Sequence, residues 1–412
     1  MTRPFSLLIK PTSADCNLRC AYCFYLDRSA LYPEESIHRM SDEVLEEMIA
    51  RYMATEQPQY IFGWQGGEPT LMGLEFFEKV VYYQKKHAKP GAVISNGLQT
   101  NGTLLTEEFA KFLHEYQFLV GVSLDGPKEL HDQYRVNQGM AGTHDRVWEG
   151  IQLLQKHQVD FNILTLVNSV NVHHAKEIYQ YLKDHGFYYQ QYIPCVELDE
   201  TGNPLPFTIT GEEWGRFLIE IFDEWIQKDP YRVSIRTFDS LLSFMMEGWT
   251  SVCHMGGNCC QYFVVEYNGD IYPCDFFVDQ ERKIGNITQD TWEEMQKSPK
   301  YQSFGQFKNQ WNKKCLQCPH LLYCSGDCLK HRIYNECPPQ TLSWLCQGWE
   351  EFFDHAIQPL ERLAREAKQQ RQSEKGIGKS QPVSLYIDQK HERNASCFCG
   401  SGKKYKYCHG YQ

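Results

Sequence analysis

Three cysteines packed into eight residues, Cys16, Cys20 and Cys23 in the spacing Cys-x3-Cys-x2-Cys, constrain this chain more than any other stretch. They follow an apolar run over 5–10 that reads as a first strand. Three thiolates can hold three irons of a four-iron cluster and leave the fourth iron open, whereas a cluster used only for electron transfer normally takes four. The odd count therefore points to a site that binds something besides iron.

The remaining composition supports metal or redox chemistry. The chain has 17 cysteines among 412 residues and no signal peptide is evident before the first strand, which places it in a reducing, cytoplasmic setting. A net charge of -11 argues against nucleic acid or an acidic membrane as main partner. No apolar run reaches the ~18 residues of a membrane span. Hydrophobic residues make up 42% of the chain, enough for a large core.

Over residues 1–235 strands and helices alternate. Strands are expected at 5–10, 60–64, 93–100, 118–124, 161–167 and 188–194. Helices are expected from the cap residues Ser41 and Thr106, over 144–157 and 172–185, and over 211–228. Six such units imply a parallel sheet with helices outside. An open doubly wound sheet and a curved barrel both fit, and both put function at the carboxyl ends of the strands. Residues 236–355 are cysteine-rich, with a hairpin signal at Asn268-Gly269. A last helix is expected over 343–368, its end and a linker making up 356–390, before a separate cysteine motif at 391–412.

The strand ends carry Gln65-Gly66-Gly67-Glu68-Pro69-Thr70, Gln99-Thr100-Asn101-Gly102 and Ser123-Leu124-Asp125-Gly126-Pro127, followed by Arg135. Each residue alone reads as a turn former or surface charge; their shared location by the cysteine loop lifts them. The second cysteine field offers eight ligands: Cys253, Cys259, Cys274, Cys315, Cys318, Cys324, Cys328 and Cys346. That is enough to close two four-iron clusters. Zinc is the alternative, but only one Cys-x2-Cys pair occurs there.

The cysteine loop followed by Gly-Gly-Glu-Pro resembles radical S-adenosylmethionine enzymes, whose fold is a partial (β/α)6 TIM-like barrel. The resemblance implies that Cys16, Cys20 and Cys23 bind the catalytic cluster. It also implies that Tyr22, Gly67, Ser123, Arg135 and Ile193 bind S-adenosylmethionine; an Arg can grip its carboxylate with paired hydrogen bonds. The second field looks like the SPASM extension. With Cys-Phe-Tyr at 23–25 and Tyr-Pro-Cys-Asp-Phe-Phe at 272–277, residues from about 5 to 350 are most similar to the anaerobic sulfatase-maturating enzymes.

By that pattern Cys253, Cys259, Cys274 and Cys328 bind one auxiliary [4Fe-4S] cluster, and Cys315, Cys318, Cys324 and Cys346 the other, three clusters in all. Cys260 could replace Cys259, while Cys195 and Cys337 read as small buried apolar residues. Asp275 would be the general base, desolvated by Phe276 and Phe277, and Tyr25 and Gln65 would touch the peptide. The implied reaction takes a Cβ hydrogen from a sulfatase cysteine or serine, yielding Cα-formylglycine, 5′-deoxyadenosine and methionine. A flavodoxin or ferredoxin would supply the electron. Cys397, Cys399, Cys408 and His409 suit tetrahedral zinc and resemble the SEC-C motif; a disordered basic tail is the alternative there. Radical modification of another peptide, or an iron–sulfur carrier or adaptor without S-adenosylmethionine chemistry, are the competing functions.

Overall fold

The computed structural model describes residues 3–26, 31–334 and 337–375. The tail ligands Cys397, Cys399, Cys408 and His409 lie outside the described residues. In chain order the first part runs β1 (Ser6–Lys10), α1 (Asp42–Ala54), β2 (Tyr60–Trp64), α2 (Gly73–His87), β3 (Ile94–Thr100), α3 (Glu107–Glu115) and β4 (Leu119–Ser123). It continues with α4 (Lys128–His131), α5 (His144–Lys156), β5 (Phe161–Val167), α6 (Ala175–Asp184), β6 (Tyr189–Pro194) and α7 (Gly211–Lys228). The expected strands and helices thus begin and end close to where local signals placed them. Ser41 caps α1 by accepting the Val44 N–H, and Thr210 with Glu213 forms a reciprocal capping box on α7.

Strands β1 to β6 are parallel and neighbour one another in sequence order. A doubly wound sheet would reverse direction at a switch point; this one never does, so the curved-barrel alternative holds. Phe62, Trp64, Phe77, Leu113 and Val120 are fully buried in the core.

The sheet exceeds the six strands read from sequence. The two-residue β7 (Ser234–Ile235) joins β6, and α8 (Arg236–Glu247) follows. At the other edge β8 (Tyr262–Glu266) pairs in parallel with β1, then β9 (Asp270–Tyr272) and β10 (Gly285–Asn286) continue antiparallel. The hairpin is confirmed, with a different turn. Only Gly269 has positive φ (86°), and its N–H bonds Glu266 O, giving a three-residue loop. Short helices α9 (Trp292–Lys297), α10 (Pro299–Phe307), α11 (Lys313–Leu316) and α12 (Leu321–Cys324) carry the cysteine-rich region.

The last helix, α13 (Cys346–Lys375), starts later than expected and runs into the expected linker. Gln369, Gln370 and Arg371 are adequate helix formers, and Arg371 Nη1 pairs with Glu247 Oε1 at 2.9 Å, tying this turn to α8. α13 packs on α7 at a glycine seam: a methyl on Gly348 would sit 1.8 Å from Gly211 O. Gly348→Ala should therefore destabilise the protein by about 1–3 kcal/mol, read as a lower midpoint in anaerobic thermal unfolding; an unchanged midpoint would contradict this packing.

Candidate active site

The cysteine loop leaves the carboxyl end of β1 and is held down along its length. Arg19 N donates to Val136 O (2.8 Å) and Ala21 N to Tyr134 O (3.0 Å), so residues 134–136 pair with it almost as a strand. At its entry Gly67 N donates to Ser13 O and Glu68 N to Asp15 O, both at 2.8 Å. Glu68, which sequence reading did not single out as a site residue, is fully buried and accepts from Thr70 N, Thr70 Oγ1, Thr100 Oγ1 and Asn101 N. Burial pushes its carboxyl up while these donors pull it down. Asn101 in turn reaches Asn17 Oδ1 (2.9 Å) and Cys16 Sγ (3.7 Å). The glycine turn, the end of β3 and the loop are one hydrogen-bonded unit.

Cys16, Cys20 and Cys23 share an apolar pocket with Leu18, Tyr22 and Cys195. Burial pushes the Cys16 thiol up to about 12 and that of Cys23 up to about 11, and raises Cys20 as well. Thiols so placed are poor anions by themselves and suit a metal that deprotonates them on binding. Three thiols in one apolar pocket are the donor type and count for a cluster with one iron left for another ligand.

The expected cofactor residues stand at strand ends or against the cysteine loop. Ser123 ends β4 and accepts from Gln99 Nε2 at 3.1 Å; Ile193 stands near the end of β6. Arg135 is buried, its Nη1 donating to Tyr22 Oη at 2.9 Å and lying 4.0 Å from Asp125 Oδ1. Tyr22 Oη also donates to Asp125 Oδ2, and Leu166 N donates to Asp125 Oδ1 at 3.1 Å. Asp125 is therefore a missed member of the site. Its signal was available: an acid at a strand end within Ser-Leu-Asp-Gly-Pro. Burial pushes its carboxyl up and Arg135 opposes that.

Asp275 follows β9 and is 4% exposed, below the loop's far end. Tyr25 Oη donates to its Oδ2, and Gln65 Nε2 donates to the same oxygen at 3.3 Å. Lys10 Nζ lies 3.7 Å from Oδ1 and 2.6 Å from Glu266 Oε1. Lys10 and Glu266 are cross-strand partners on β1 and β8, each with 1% of its side chain exposed. Neither was foreseen. Nearby, Phe24 and Phe276 pack with ring centroids 4.9 Å apart and planes tilted by 49°, and Lys330 lies over both rings while pairing with Glu197.

The second cysteine field divides in two. Cys315, Cys318, Cys324 and Cys346 line one recess with Trp349 and Phe353. His320 at its rim is engaged by Asp354 (2.7 Å), so thiols are the donors it offers. Around the other space, burial raises Cys259, Cys274 and Cys328, and each also feels the charge of Cys253. Cys260 faces elsewhere: its Sγ donates to Tyr301 O at 3.1 Å. Cys195 is buried beside the first loop. Both sets have the donor count and type that four-iron clusters require.

Comparison with known proteins bears on this arrangement. The family profile of the radical SAM superfamily matches residues 11–182, that of an iron–sulfur cluster-binding domain (SPASM) residues 253–319, and the SEC-C motif residues 393–410. The serine-type anaerobic sulfatase-maturating enzyme of Bacteroides thetaiotaomicron is 38% identical, over 89% of this chain and 93% of that protein. The cysteine-type enzyme of Clostridium perfringens is 40% identical over 89% of this chain and its own full length. The solved structure of native anSMEcpe with bound AdoMet and Cp18Cys peptide superposes with a TM-score of 0.83, at 40% identity, covering 89% of this chain and 100% of that one. Among the described residues no helix is long and apolar enough to cross a membrane.

Proposed function

This chain belongs to the anaerobic sulfatase-maturating enzymes, a family of radical S-adenosylmethionine proteins with a SPASM domain, and from that premise we propose that it oxidises a cysteine or serine of a sulfatase polypeptide to Cα-formylglycine. The observation that carries the reading for this chain is the buried carboxylate of Asp275, oriented by Tyr25 and Gln65 beside the three-thiol loop.

Cys16, Cys20 and Cys23 would hold the catalytic [4Fe-4S] cluster. Gly67, Ser123, Arg135, Ile193 and the backbone of Tyr22 would seat S-adenosylmethionine against it. Bound together, these groups supply hydrogen-atom abstraction from an unactivated carbon, chemistry that no side chain offers. The chain's own residues then do three things. Arg135, fixed by Tyr22 and Asp125, presents a cation for a carboxylate. Asp275 accepts the proton of the substrate thiol or hydroxyl, with its orientation set at Oδ2 by Tyr25 and Gln65. Phe24 and Phe276 shield that carboxylate from water.

Cys253, Cys259, Cys274 and Cys328 would complete one auxiliary [4Fe-4S] cluster, and Cys315, Cys318, Cys324 and Cys346 the other. The engagement of Cys260 with Tyr301 favours Cys259 as the ligand. Cys397, Cys399, Cys408 and His409 would bind zinc in the SEC-C motif. A flavodoxin or ferredoxin in the cytoplasm is the electron donor this chemistry asks for.

The test is anaerobic incubation with reductant, S-adenosylmethionine and two sulfatase peptides differing only in cysteine or serine at the target. Oxidation to formylglycine removes about 18 mass units from the cysteine peptide or about 2 from the serine peptide. Formation of 5′-deoxyadenosine with neither mass change would sink sulfatase maturation while leaving the radical chemistry standing.

A further inference from the structure

Two cations are buried between the thiol sets, and no carboxylate lies within 4.0 Å of either among the described residues. Lys308, at the end of α10, is fully buried. Its Nζ donates to His254 O (2.7 Å) and to Asp327 O. His254 follows Cys253 and Asp327 precedes Cys328, so the ammonium bridges the backbone beside two thiols of one set. Arg332 is 2% exposed and spends its donors on the carbonyls of Lys308 (3.1 Å), Phe307, Gln310 and Pro339.

The pair stands between both sets: Lys308 holds the backbone beside Cys253 and Cys328, and Arg332 packs on Gly326, which lines the recess of Cys315, Cys318, Cys324 and Cys346. The segment between Cys324 and Cys328 crosses from one set to the other, with Ser325, Gly326 and Asp327 all at positive φ (49°, 75° and 61°). An added methyl on Gly326 would sit 3.2 Å from Arg332 Nη1, so this crossing is moulded around the guanidinium.

A buried cation satisfied only by carbonyl dipoles is costly unless net negative charge lies close by. Asp327 supplies one nearby negative charge against these two cations, its Oδ2 held by His331 (2.8 Å) and Ser343 (2.6 Å). Clusters closed by four thiolates are net negative and would lie on both sides.

We propose that Lys308 and Arg332 form a fixed cationic partition between the two auxiliary clusters, balancing their charge and raising their reduction potentials. The inference rests on the assignment of two auxiliary clusters made above. Net charge and nearby hydrogen-bond donors are known levers on such potentials.

The test is a redox titration of the full reconstituted protein, followed by electron paramagnetic resonance, with Lys308→Met and Arg332→Met beside the charge-keeping Lys308→Arg and Arg332→Lys. Each methionine variant should weaken auxiliary-cluster reduction at least tenfold, a shift of about 59 mV to lower potential for a one-electron couple. The loop cluster should not move, and the charge-keeping variants should stay near wild type. If one methionine variant fails to retain iron, the other decides. Unshifted auxiliary potentials in a methionine variant with full iron content overturn the partition. A wild-type protein with iron for the loop cluster alone would instead remove the cluster assignment beneath it.

Discussion

Asp275→Asn should leave 5′-deoxyadenosine formation near the wild-type rate and lower formylglycine yield by about 10²–10⁴-fold, the usual worth of a positioned proton acceptor. Asparagine keeps the shape and can still accept from Tyr25 and Gln65, so the pocket should stay filled. What it loses is the capacity to take a proton. The substitution does not touch the Tyr22–Asp125–Arg135 group. Chromatography with mass detection of both products separates the two effects. Since Asp275 adjoins Cys274, iron content must be matched first. Equal loss of both products at matched iron would mean that Asp275 supports the site as a whole, and an unchanged yield would remove it as the base.

Gly67→Ala should all but abolish cofactor turnover. An added Cβ would lie 2.0 Å from Asp15 O and 2.5 Å from Asp15 C, both backbone atoms of the segment entering the cysteine loop. No side-chain motion relieves that contact. Either the turn or the loop must shift, breaking the paired bonds from Gly67 N to Ser13 O and from Glu68 N to Asp15 O. A misplacement of about 1 Å at a reacting centre costs on the order of 100-fold. We expect at least that loss in 5′-deoxyadenosine formation, with S-adenosylmethionine affinity by equilibrium dialysis falling alongside it. Gly97→Ala on β3 is the control, since its methyl would meet only Leu119 O at 3.8 Å. Wild-type turnover in Gly67→Ala would refute the clamp between turn and loop.

Much of this architecture was readable because its signals are local. Ser41 and Thr106 mark helix starts by capping chemistry, and the apolar runs over 60–64 and 161–167 have the same bounds in the structure. The spacing of Cys16, Cys20 and Cys23 is likewise a short-range pattern. What escaped depends on long-range partners. Lys10 is the last residue of the apolar run over 5–10, and its partner Glu266 arrives on a strand formed much later in the chain. Glu68 and Asp125 lay inside recognised motifs, but only folding shows their carboxylates buried and encircled by donors. Periodicity alone could not choose between barrel and doubly wound sheet, because strand order is a property of pairing; the resemblance carried by the cysteine loop and the Gly-Gly-Glu-Pro turn implied the barrel, and the strand order agrees. β7 has two residues and no pattern to read.

The pairing of β1 with β8 has a consequence for building chimeras. Five successive residues, from Ser6 opposite Tyr262 to Lys10 opposite Glu266, join the barrel to the strand that leads to Asp275. Exchanging the cysteine-rich half between relatives to redirect substrate choice would therefore cut through a ladder, where a one-residue slip turns every side chain of the graft to the opposite face. Such a slip parts Lys10 from Glu266 and strands a buried charge. A transplant that carries β1 along with β8 and β9 keeps that alignment, and it should give active hybrids where a cut between β1 and β8 gives inactive ones.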